Sequence, residues 1–257
     1  MALFHTHYYS QSLQMETGIE IIMPNPTFDP GRDEKPVKTL YLLHGLSDDE
    51  TAWTRYTSIE RYANDRRIAV IMPTTYRFWY TDSDCGKYYS YIAGELPDAM
   101  HHFFPHLSER REDTMIAGLS MGGYGAWRIA LSRPERFGGA ASLSGALLRG
   151  SAETTTESSC RPVFGEHPAG SENDILYLLD KALEKGAPLP NLYQWCGTED
   201  FLFRDNCRVF EIFDRRSYPS LEWRNSEGNH AWKYWDAQIC PAIDWLLEKA
   251  ENGDAIR

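Results

Sequence analysis

The chain has 257 residues, 42% of them hydrophobic, and a formal net charge of −11 at pH 7. This length and apolar content suit a globular protein with a sizeable core and exclude an intrinsically disordered chain. The excess of acidic side chains argues against nucleic acids and anionic membrane surfaces as partners, because both would repel the chain.

Cysteine usage and the N-terminus indicate a reducing compartment. The five cysteines are odd in number, are scattered along the chain and form no C-x-x-C pair. This pattern argues against a disulfide framework and against a zinc site. Residues 1–7 lack the basic and apolar segments of a signal peptide, and no apolar run approaches the ~20 residues of a membrane span. We therefore expect a cytoplasmic protein that has no membrane as a partner.

Strands and helices alternate along the chain. Apolar and β-branched runs predict strands over 3–12, 17–24, 38–44, 68–72, 114–117, 137–142, 191–196 and 221–224. Helical spacing of apolar residues predicts helices over 56–64, 91–104, 123–132, 171–185, 205–215 and 229–248. The near-continuous apolar runs suit strands that are buried on both faces, so the pattern predicts an α/β fold with a mostly parallel sheet and helices around it.

Turn and cap residues refine these predictions. Thr17-Gly18 is expected at a turn between the first two strands, and the prolines and glycines of residues 24–36 predict a loop. Pro97 is expected to kink the second helix or to mark its restart. Ser171 is the expected N-cap of the helix that Gly186 ends.

No convincing domain boundary interrupts the chain, so residues 1–257 are expected to form a single domain. A polar excursion follows the sixth predicted strand, and we interpret residues 146–190 as a lid-like insertion over the top of the sheet. The sequence leaves open whether this insertion covers a site or contacts a second subunit, and whether the chain forms homo-oligomers.

The stretch G-L-S-M-G at 118–122 fits the pattern G-x-S-x-G and stands between a predicted strand and a predicted helix. That context is what a nucleophile elbow requires. Glycines two residues before and after Ser120 leave room for a tight, strained turn that holds its hydroxyl at the carboxyl end of the sheet. Ser120 is therefore the candidate nucleophile, and an ordinary glycine-rich turn with a surface serine is the alternative.

A serine hydroxyl needs a base, and the base needs an orienting acid. In α/β hydrolases these groups follow the serine in the order acid, then histidine, each after a later strand. His230 follows the last predicted strand, and the other seven histidines do not. Asp200 follows the penultimate strand and is the candidate acid, with Glu199 and Asp205 as rivals. A helix-capping role is the alternative for both Asp200 and His230.

Two backbone N–H groups are needed to stabilise the oxyanion that forms when a serine attacks an ester. One comes from the residue after the nucleophile, which is Met121. The other comes from the loop after an earlier strand, and His44-Gly45-Leu46 ends the strand predicted over 38–44. We assign the second donor to Leu46 and expect His44 to hold this loop by hydrogen bonds.

These motifs together resemble one family. The chain is similar to the tributyrin esterase branch of the esterase D-like α/β hydrolases at HGL (44–46), ELP (95–97), GLSMGGYG (118–125), GTEDFL (197–202) and GNHAW (228–232). The resemblance covers residue 15 to the C-terminus. It implies an α/β-hydrolase fold and a cytoplasmic serine carboxylesterase for short-chain acyl esters, which works through an acyl-enzyme and needs no cofactor and no metal. The expected partner is a small-molecule ester.

Other functions remain as alternatives. The nearest is a carbohydrate-ester esterase of the acetyl xylan or feruloyl type. S-formylglutathione hydrolysis fits less well, because those enzymes tend to carry a different segment after the His-Gly-Leu loop than residues 47–53 of this chain. A non-catalytic binding module would be expected to lack part of the triad, which is complete here. The sequence gives neither the physiological ester nor its acyl-length limit.

Two weaker signals concern aromatic and metal-ligating residues. Trp53 and Trp232 stand in or beside loops at the expected active edge of the sheet, and we assign them to the substrate pocket, with core packing as the alternative. Asp98 and His102 are four residues apart on a predicted helix, close to His101 and His106. A solvated helix face is the better interpretation, because no HExxH or Cys/His cluster accompanies them.

Overall fold

The computed structural model describes residues 1–25, 35–151, 161–186 and 188–252. Its strands, in chain order, are β1 (Ala2–Ser10), β2 (Met15–Met23), β3 (Thr39–Leu43), β4 (Ala69–Pro73), β5 (Asp82–Ser83), β6 (Gly86–Lys87), β7 (Thr114–Leu119), β8 (Gly139–Leu143), β9 (Asn191–Gly197) and β10 (Leu221–Ser226).

The α-helices lie between and after these strands. They are α1 (Ala52–Tyr56), α2 (Ile59–Arg66), α3 (Tyr88–Ser90), α4 (Leu96–Phe103), α5 (Met121–Ser132), α6 (Arg161–Phe164), α7 (Ile175–Lys185), α8 (Phe203–Arg215) and α9 (Trp232–Asn252). A π-helical turn, Tyr91–Glu95, joins α3 to α4, and a short 3-10 helix, Arg111–Asp113, precedes β7.

Eight strands form one sheet in the order β1-β2-β4-β3-β7-β8-β9-β10. Six neighbouring strands pair in parallel, namely β4, β3, β7, β8, β9 and β10, and β1 and β2 add an antiparallel edge. β5 and β6 form a small separate ribbon. The predicted α/β class with a mostly parallel sheet is confirmed.

Apolar side chains cover both faces of the sheet. Every residue of β3, β4, β7 and β8 is buried, as expected for strands between two layers of helices. Helices α4, α5, α7 and α8 contribute to the core on one face, through residues such as Trp127 and Phe213. Helices α1, α2 and α9 contribute to the core on the other face, which includes Trp53 and Ile239. Because the central strands are parallel, their carboxyl ends meet at one edge of this covered sheet.

The turn between the first two strands does not lie at Thr17-Gly18. Residues 11–14 form it, and Gln14 adopts a left-handed φ of 55°. Thr17 and Gly18 lie inside β2, where they pair with Tyr8 and His7. Gly18 has a packing role instead, since a Cβ at this position would clash with the carboxylate of Glu50.

Two helix predictions also need correction. Asp174, rather than Ser171, caps α7: its Oδ1 accepts a hydrogen bond from the N–H of Leu176 at 3.0 Å. Gly186 ends that helix in the left-handed conformation, as predicted. The last helix begins at Trp232 rather than at Asn229, so His230 lies in the loop before it.

The expected interruption near Pro97 takes the form of the π-helical turn before α4. Pro97 then occupies the first turn of α4, where a missing N–H removes no intrahelical hydrogen bond. The predicted helix over 56–64 is divided between α1 and α2 by the extended backbone of Thr57. Most of the predicted 24–36 loop and part of the 146–190 insertion lie outside the described residues.

Candidate active site

Ser120 lies in a strained turn between β7 and α5. Its backbone has φ 52° and ψ −113°, a region that residues other than glycine rarely adopt. The turn is held by hydrogen bonds from the N–H of Ser120 to the carbonyl of Leu143 at 2.9 Å and from the N–H of Ala146 to the carbonyl of Ser120 at 3.1 Å. A Cβ at Gly118 would clash with the backbone of Gly122, so the two flanking glycines permit the turn.

His230 and Asp200 reach Ser120 from two neighbouring loops. The Nε2 atom of His230 lies 3.0 Å from Oγ of Ser120, and its Nδ1 atom lies 2.8 Å from Oδ2 of Asp200. The β9–α8 and β10–α9 loops that carry them are tied together, because the N–H of Glu199 donates to the carbonyl of Gly228 at 2.9 Å. The structure thus brings the three predicted residues into one hydrogen-bonded chain.

The orienting carboxylate is the more buried partner. The Asp200 side chain is fully shielded from solvent, whereas that of His230 is 20% exposed. Burial acts to raise the pKa of Asp200, but hydrogen bonds from His230 and from the N–H of Leu202 outweigh it, and the pKa lies below its ordinary value. Asp200 is therefore an anion at neutral pH that accepts from Nδ1–H and leaves Nε2 free to accept the Ser120 proton.

Glu199 and Asp205, the rival acids, are not the His230 partner in this arrangement, because Asp200 holds that place.

Trp235, on α9, packs its ring against His230 edge to face, with centroids 4.9 Å apart. Its indole N–H donates to Oγ of Ser144 at 3.2 Å. Sequence reasoning missed Ser144. Its backbone adopts a left-handed φ of 48°, which the presence of a serine does not predict.

Leu46 and Met121 are the residues predicted to supply the oxyanion-hole N–H groups, and the packing around them is as follows. Met121 is the first residue of α5, where a backbone N–H has no acceptor within the helix. The start of α5 packs tightly on the end of β3, and a Cβ on Gly122 would approach the carbonyl oxygen of His44 to 2.6 Å. This close approach brings the His44-Gly45-Leu46 loop next to Met121.

His44 holds that loop, as predicted from the sequence. Its Nδ1–H donates to the carbonyl of Gly45 at 2.7 Å, and its Nε2 accepts from the N–H of Thr75 at 2.9 Å. The residue is 1% exposed. Burial lowers the pKa of His44 from 6.5 to about 4. His44 is therefore neutral at physiological pH and connects two loops beside Ser120.

A cavity of about 440 Å³ opens above Ser120. Its described lining is mixed apolar and cationic: Leu46, Arg77, Phe78, Trp79, Cys85, Ser120, Ala146, Arg149, Pro162, Val163, Phe201 and Leu202. The volume suits a small organic ligand. Residues of the 146–190 segment supply part of the wall, and Phe164, next to Val163, packs against Trp79 with centroids 5.5 Å apart.

The prediction that Trp53 lines the pocket is wrong. Trp53 is 0% exposed, lies in the core on the α1/α9 side of the sheet, and donates its indole N–H to the carbonyl of Leu43 at 3.1 Å. Trp232 is not among the described lining residues either, and its ring packs against those of Tyr56, Trp53 and Trp235. Sequence proximity to His230 misled the second assignment, because the first turn of α9 carries Trp232 toward α1.

The described residues hold no cluster of three or more metal-ligating side chains. Asp98 pairs with Arg136 at 2.7 Å, and His101 bonds to the backbone carbonyls of Pro97 and Ser108. None of the helices among the described residues has the length and hydropathy that a membrane span requires. The described cysteines Cys85, Cys196, Cys207 and Cys240 are free thiols.

Sequence reasoning also missed the two arginines of the cavity wall. Arg77 belongs to the loop after β4, and Arg149 belongs to the polar excursion. A lone arginine in a loop carries no signal in a single sequence, so neither could have been singled out.

The chain has recognisable relatives among known proteins. The chain matches the family described as Putative esterase over residues 10–246. It is 30% identical over 268 residues to an acetyl esterase of Caldicellulosiruptor saccharolyticus, with 98% of this chain and 100% of that protein covered.

Two solved structures from Staphylococcus aureus are also similar. FphF, described as a fluorophosphonate-binding serine hydrolase with substrate bound, superposes with a TM-score of 0.86 at 38% identity, covering 95% of this chain and 98% of that chain. FrmB, described as an S-formylglutathione hydrolase, superposes with a TM-score of 0.83 at 37% identity, with the same coverage. The chain therefore belongs to the Putative esterase family, has the α/β-hydrolase fold, and is a carboxylic ester hydrolase.

Proposed function

We propose that the protein is a serine carboxylesterase that hydrolyses short-chain acyl esters through a Ser120–His230–Asp200 triad and an acyl-enzyme intermediate. The observation that carries the proposal is the unbroken chain of hydrogen bonds from Asp200 through His230 to Ser120, at 2.8 Å and 3.0 Å. This chain ends at the floor of the cavity that Ser120 lines.

In the proposed reaction, Oγ of Ser120 attacks the ester carbonyl while Nε2 of His230 takes its proton. Asp200 keeps Nδ1 protonated and stabilises the imidazolium that forms. The imidazolium then gives its proton to the leaving alcohol, and the acyl group remains on Ser120. A water molecule, deprotonated by His230, attacks the acyl-enzyme. The bond between the acyl carbon and Oγ of Ser120 then breaks, the imidazolium returns its proton to Oγ, and the carboxylic acid is released. No step requires a cofactor or a metal.

The negative charge of each tetrahedral intermediate would be stabilised by the backbone N–H groups of Leu46 and Met121. One such donor is worth about 3–4 kcal/mol of transition-state stabilisation. The packing of Gly122 against His44 supports this role, because it fixes the two loops relative to each other before substrate binds.

We further propose that the chain acts as a single hydrolase domain in which the 146–190 segment covers the ester cavity. Ala146, Arg149, Pro162 and Val163 line the cavity from this segment, which is consistent with a lid. A cytoplasmic location remains a prediction of the sequence.

The proposal is tested by measuring kcat/KM for p-nitrophenyl esters from acetate to octanoate. We expect activity that falls with chain length, and a loss of about 10⁴-fold or more in Ser120→Ala. Wild-type turnover that persists in Ser120→Ala at an unchanged melting temperature would sink the triad mechanism. Reaction of the wild type with a serine-directed phosphonate supplies an independent check.

S-formylglutathione hydrolysis is the second candidate. The segment 47–53 argued against this activity, whereas the structural similarity to FrmB, at 37% identity, favours it. It uses the same triad, with a thiol as leaving group. Parallel assays of S-formylglutathione, p-nitrophenyl acetate and an acetylated xylo-oligosaccharide rank it against the short-ester and carbohydrate-ester alternatives.

A further inference from the structure

The loop from Thr75 to Tyr80 is a strained wall of the ester cavity. Three of its non-glycine residues, Tyr76, Trp79 and Tyr80, have left-handed φ angles of 51°, 52° and 54°. Residues other than glycine rarely adopt this conformation, and such strain persists only where the surroundings enforce it. Strain of this kind concentrates at ligand-binding segments.

The surroundings do enforce it. The N–H of Thr75 donates to His44, and the hydroxyl of Tyr80 donates to the carbonyl of His44 at 2.8 Å. The buried guanidinium of Arg128 donates to the carbonyl of Tyr80 at 3.2 Å. Between these anchors, Phe78 stacks on Tyr88 with centroids 4.7 Å apart. The loop is thus fixed at both ends, and its middle is held by aromatic packing.

This fixed loop presents a cation to the cavity. Arg77 lies between the anchors and lines the cavity together with Arg149, whose guanidinium lies over the ring of Trp79 at 5.4 Å from the centroid. Among the described lining residues there are two arginines and no acidic side chain. The chain as a whole has a net charge of −11, so the cavity is locally cationic on an acidic protein.

The two arginines differ in their surroundings. Arg149 is half-buried and acts electrostatically on Asp205, which offsets part of its charge. Arg77 is exposed on the cavity side of the loop. We therefore expect Arg77 to contribute more to the recognition of a ligand charge.

We propose that Arg77 and Arg149 select esters whose leaving group carries a carboxylate. A guanidinium fits a carboxylate through two parallel N–H···O bonds, and its charge favours an anion in a partly closed cavity. The inference rests on the proposed function: if the acyl group is short, the remote anion must belong to the alcohol or thiol part. A neutral sugar as leaving group would make no use of these charges.

The test compares two acetate esters that differ in one charge, 4-acetoxybenzoate and its methyl ester. kcat/KM is measured for the wild type, Arg77→Gln, Arg149→Gln, the double variant and Arg61→Gln. Arg61, on α2, is an exposed arginine outside the described cavity wall and serves as the matched control. We expect Arg77→Gln to lower kcat/KM about fivefold more for the carboxylate than for the methyl ester, and the double variant about tenfold more. The wild-type preference is expected to shrink between ~0.05 M and ~0.5 M salt.

Equal losses on both esters, or a ratio that the double variant leaves at the wild-type value, would overturn the inference. In either case Ser120-dependent hydrolysis of the methyl ester would leave the proposed esterase standing. If the wild type hydrolyses neither of these esters nor p-nitrophenyl acetate, the proposed function fails and the inference falls with it.

Discussion

Two histidines belong to the loops around Ser120, and their surroundings give them different properties. His44 is enclosed between two backbone groups, the carbonyl of Gly45 and the N–H of Thr75. His230 is partly exposed and lies between the carboxylate of Asp200 and the hydroxyl of Ser120. Both rings use both nitrogen atoms, so the number of hydrogen bonds does not distinguish them.

The chemistry of the partners does distinguish them. Burial keeps His44 neutral, and a neutral imidazole can both donate to the carbonyl of Gly45 and accept from the N–H of Thr75. A buried carboxylate stabilises an imidazolium, which is what a general base becomes when it accepts a proton. A histidine near a nucleophile is therefore a candidate base only if a carboxylate is hydrogen-bonded to its other ring nitrogen. In this site that condition selects His230.

The sharpest way to break this comparison is to remove each ring in turn. His230→Ala is expected to lower kcat for p-nitrophenyl acetate by about 10⁴-fold or more, because Ser120 loses its base. Its free energy of unfolding, measured by urea denaturation, should fall by only about 1–2 kcal/mol, because the buried Asp200 loses one donor and keeps the N–H of Leu202.

His44→Ala should show the reverse pattern. It leaves two buried backbone groups without partners and opens a cavity, so we expect a loss of about 2–4 kcal/mol in the free energy of unfolding. Its kcat falls by less than that of His230→Ala, because the triad is intact. Equal activity losses in the two variants would show that His44 takes part in the chemistry.

A smaller effect is expected in the pH dependence of stability. The pKa of His44 is lowered from 6.5 to about 4, so an unfolded chain takes up a proton at this residue over a pH range where the folded chain does not. The free energy of unfolding should therefore fall as the pH is lowered from 6.5 to 4. Each pKa unit corresponds to about 1.4 kcal/mol, which gives a total of about 3 kcal/mol.

His44→Asn is the control, since the difference between its pH profile and that of the wild type isolates this residue. Asp200 acts outside the same window: its pKa lies below the ordinary value of 3.8, so the stability that it contributes is lost only as the pH falls below that value. Parallel profiles for wild type and His44→Asn between pH 4 and 6.5 would mean that His44 is not buried in the neutral form.

The sequence predicted one side of the site much better than the other. Ser120, Asp200 and His230 follow β7, β9 and β10, and parallel strands bring their carboxyl ends to one edge, so their order along the chain predicted their proximity. The glycines around Ser120 predicted the turn for a steric reason, because only small residues fit where backbones approach closely.

The cavity wall could not be predicted in this way. The left-handed φ angles of Tyr76, Trp79 and Tyr80 depend on long-range hydrogen bonds to His44 and Arg128. Tyrosine and tryptophan have no preference for such angles, so the sequence does not predict them. For the same reason Trp53 was misplaced, because its loop position did not reveal that α1 carries it into the core. Local patterns predict elements and their ends, whereas the walls between them depend on long-range contacts.

The smallest effect is expected from Tyr80→Phe, which separates the anchoring of His44 from its ring chemistry. The substitution removes only the hydroxyl that donates to the carbonyl of His44 at 2.8 Å, and it leaves both ring nitrogen bonds in place. Because the carbonyl is buried, we expect a loss of about 1–2 kcal/mol in the free energy of unfolding. The slope of stability between pH 4 and 6.5 should remain, since the burial of the imidazole sets that slope and the hydroxyl does not. A variant that loses both stability and its pH dependence between pH 4 and 6.5 would show that Tyr80 keeps water away from His44. The contrast between the two histidines would then depend on the Thr75–Tyr80 loop as much as on their hydrogen-bond partners.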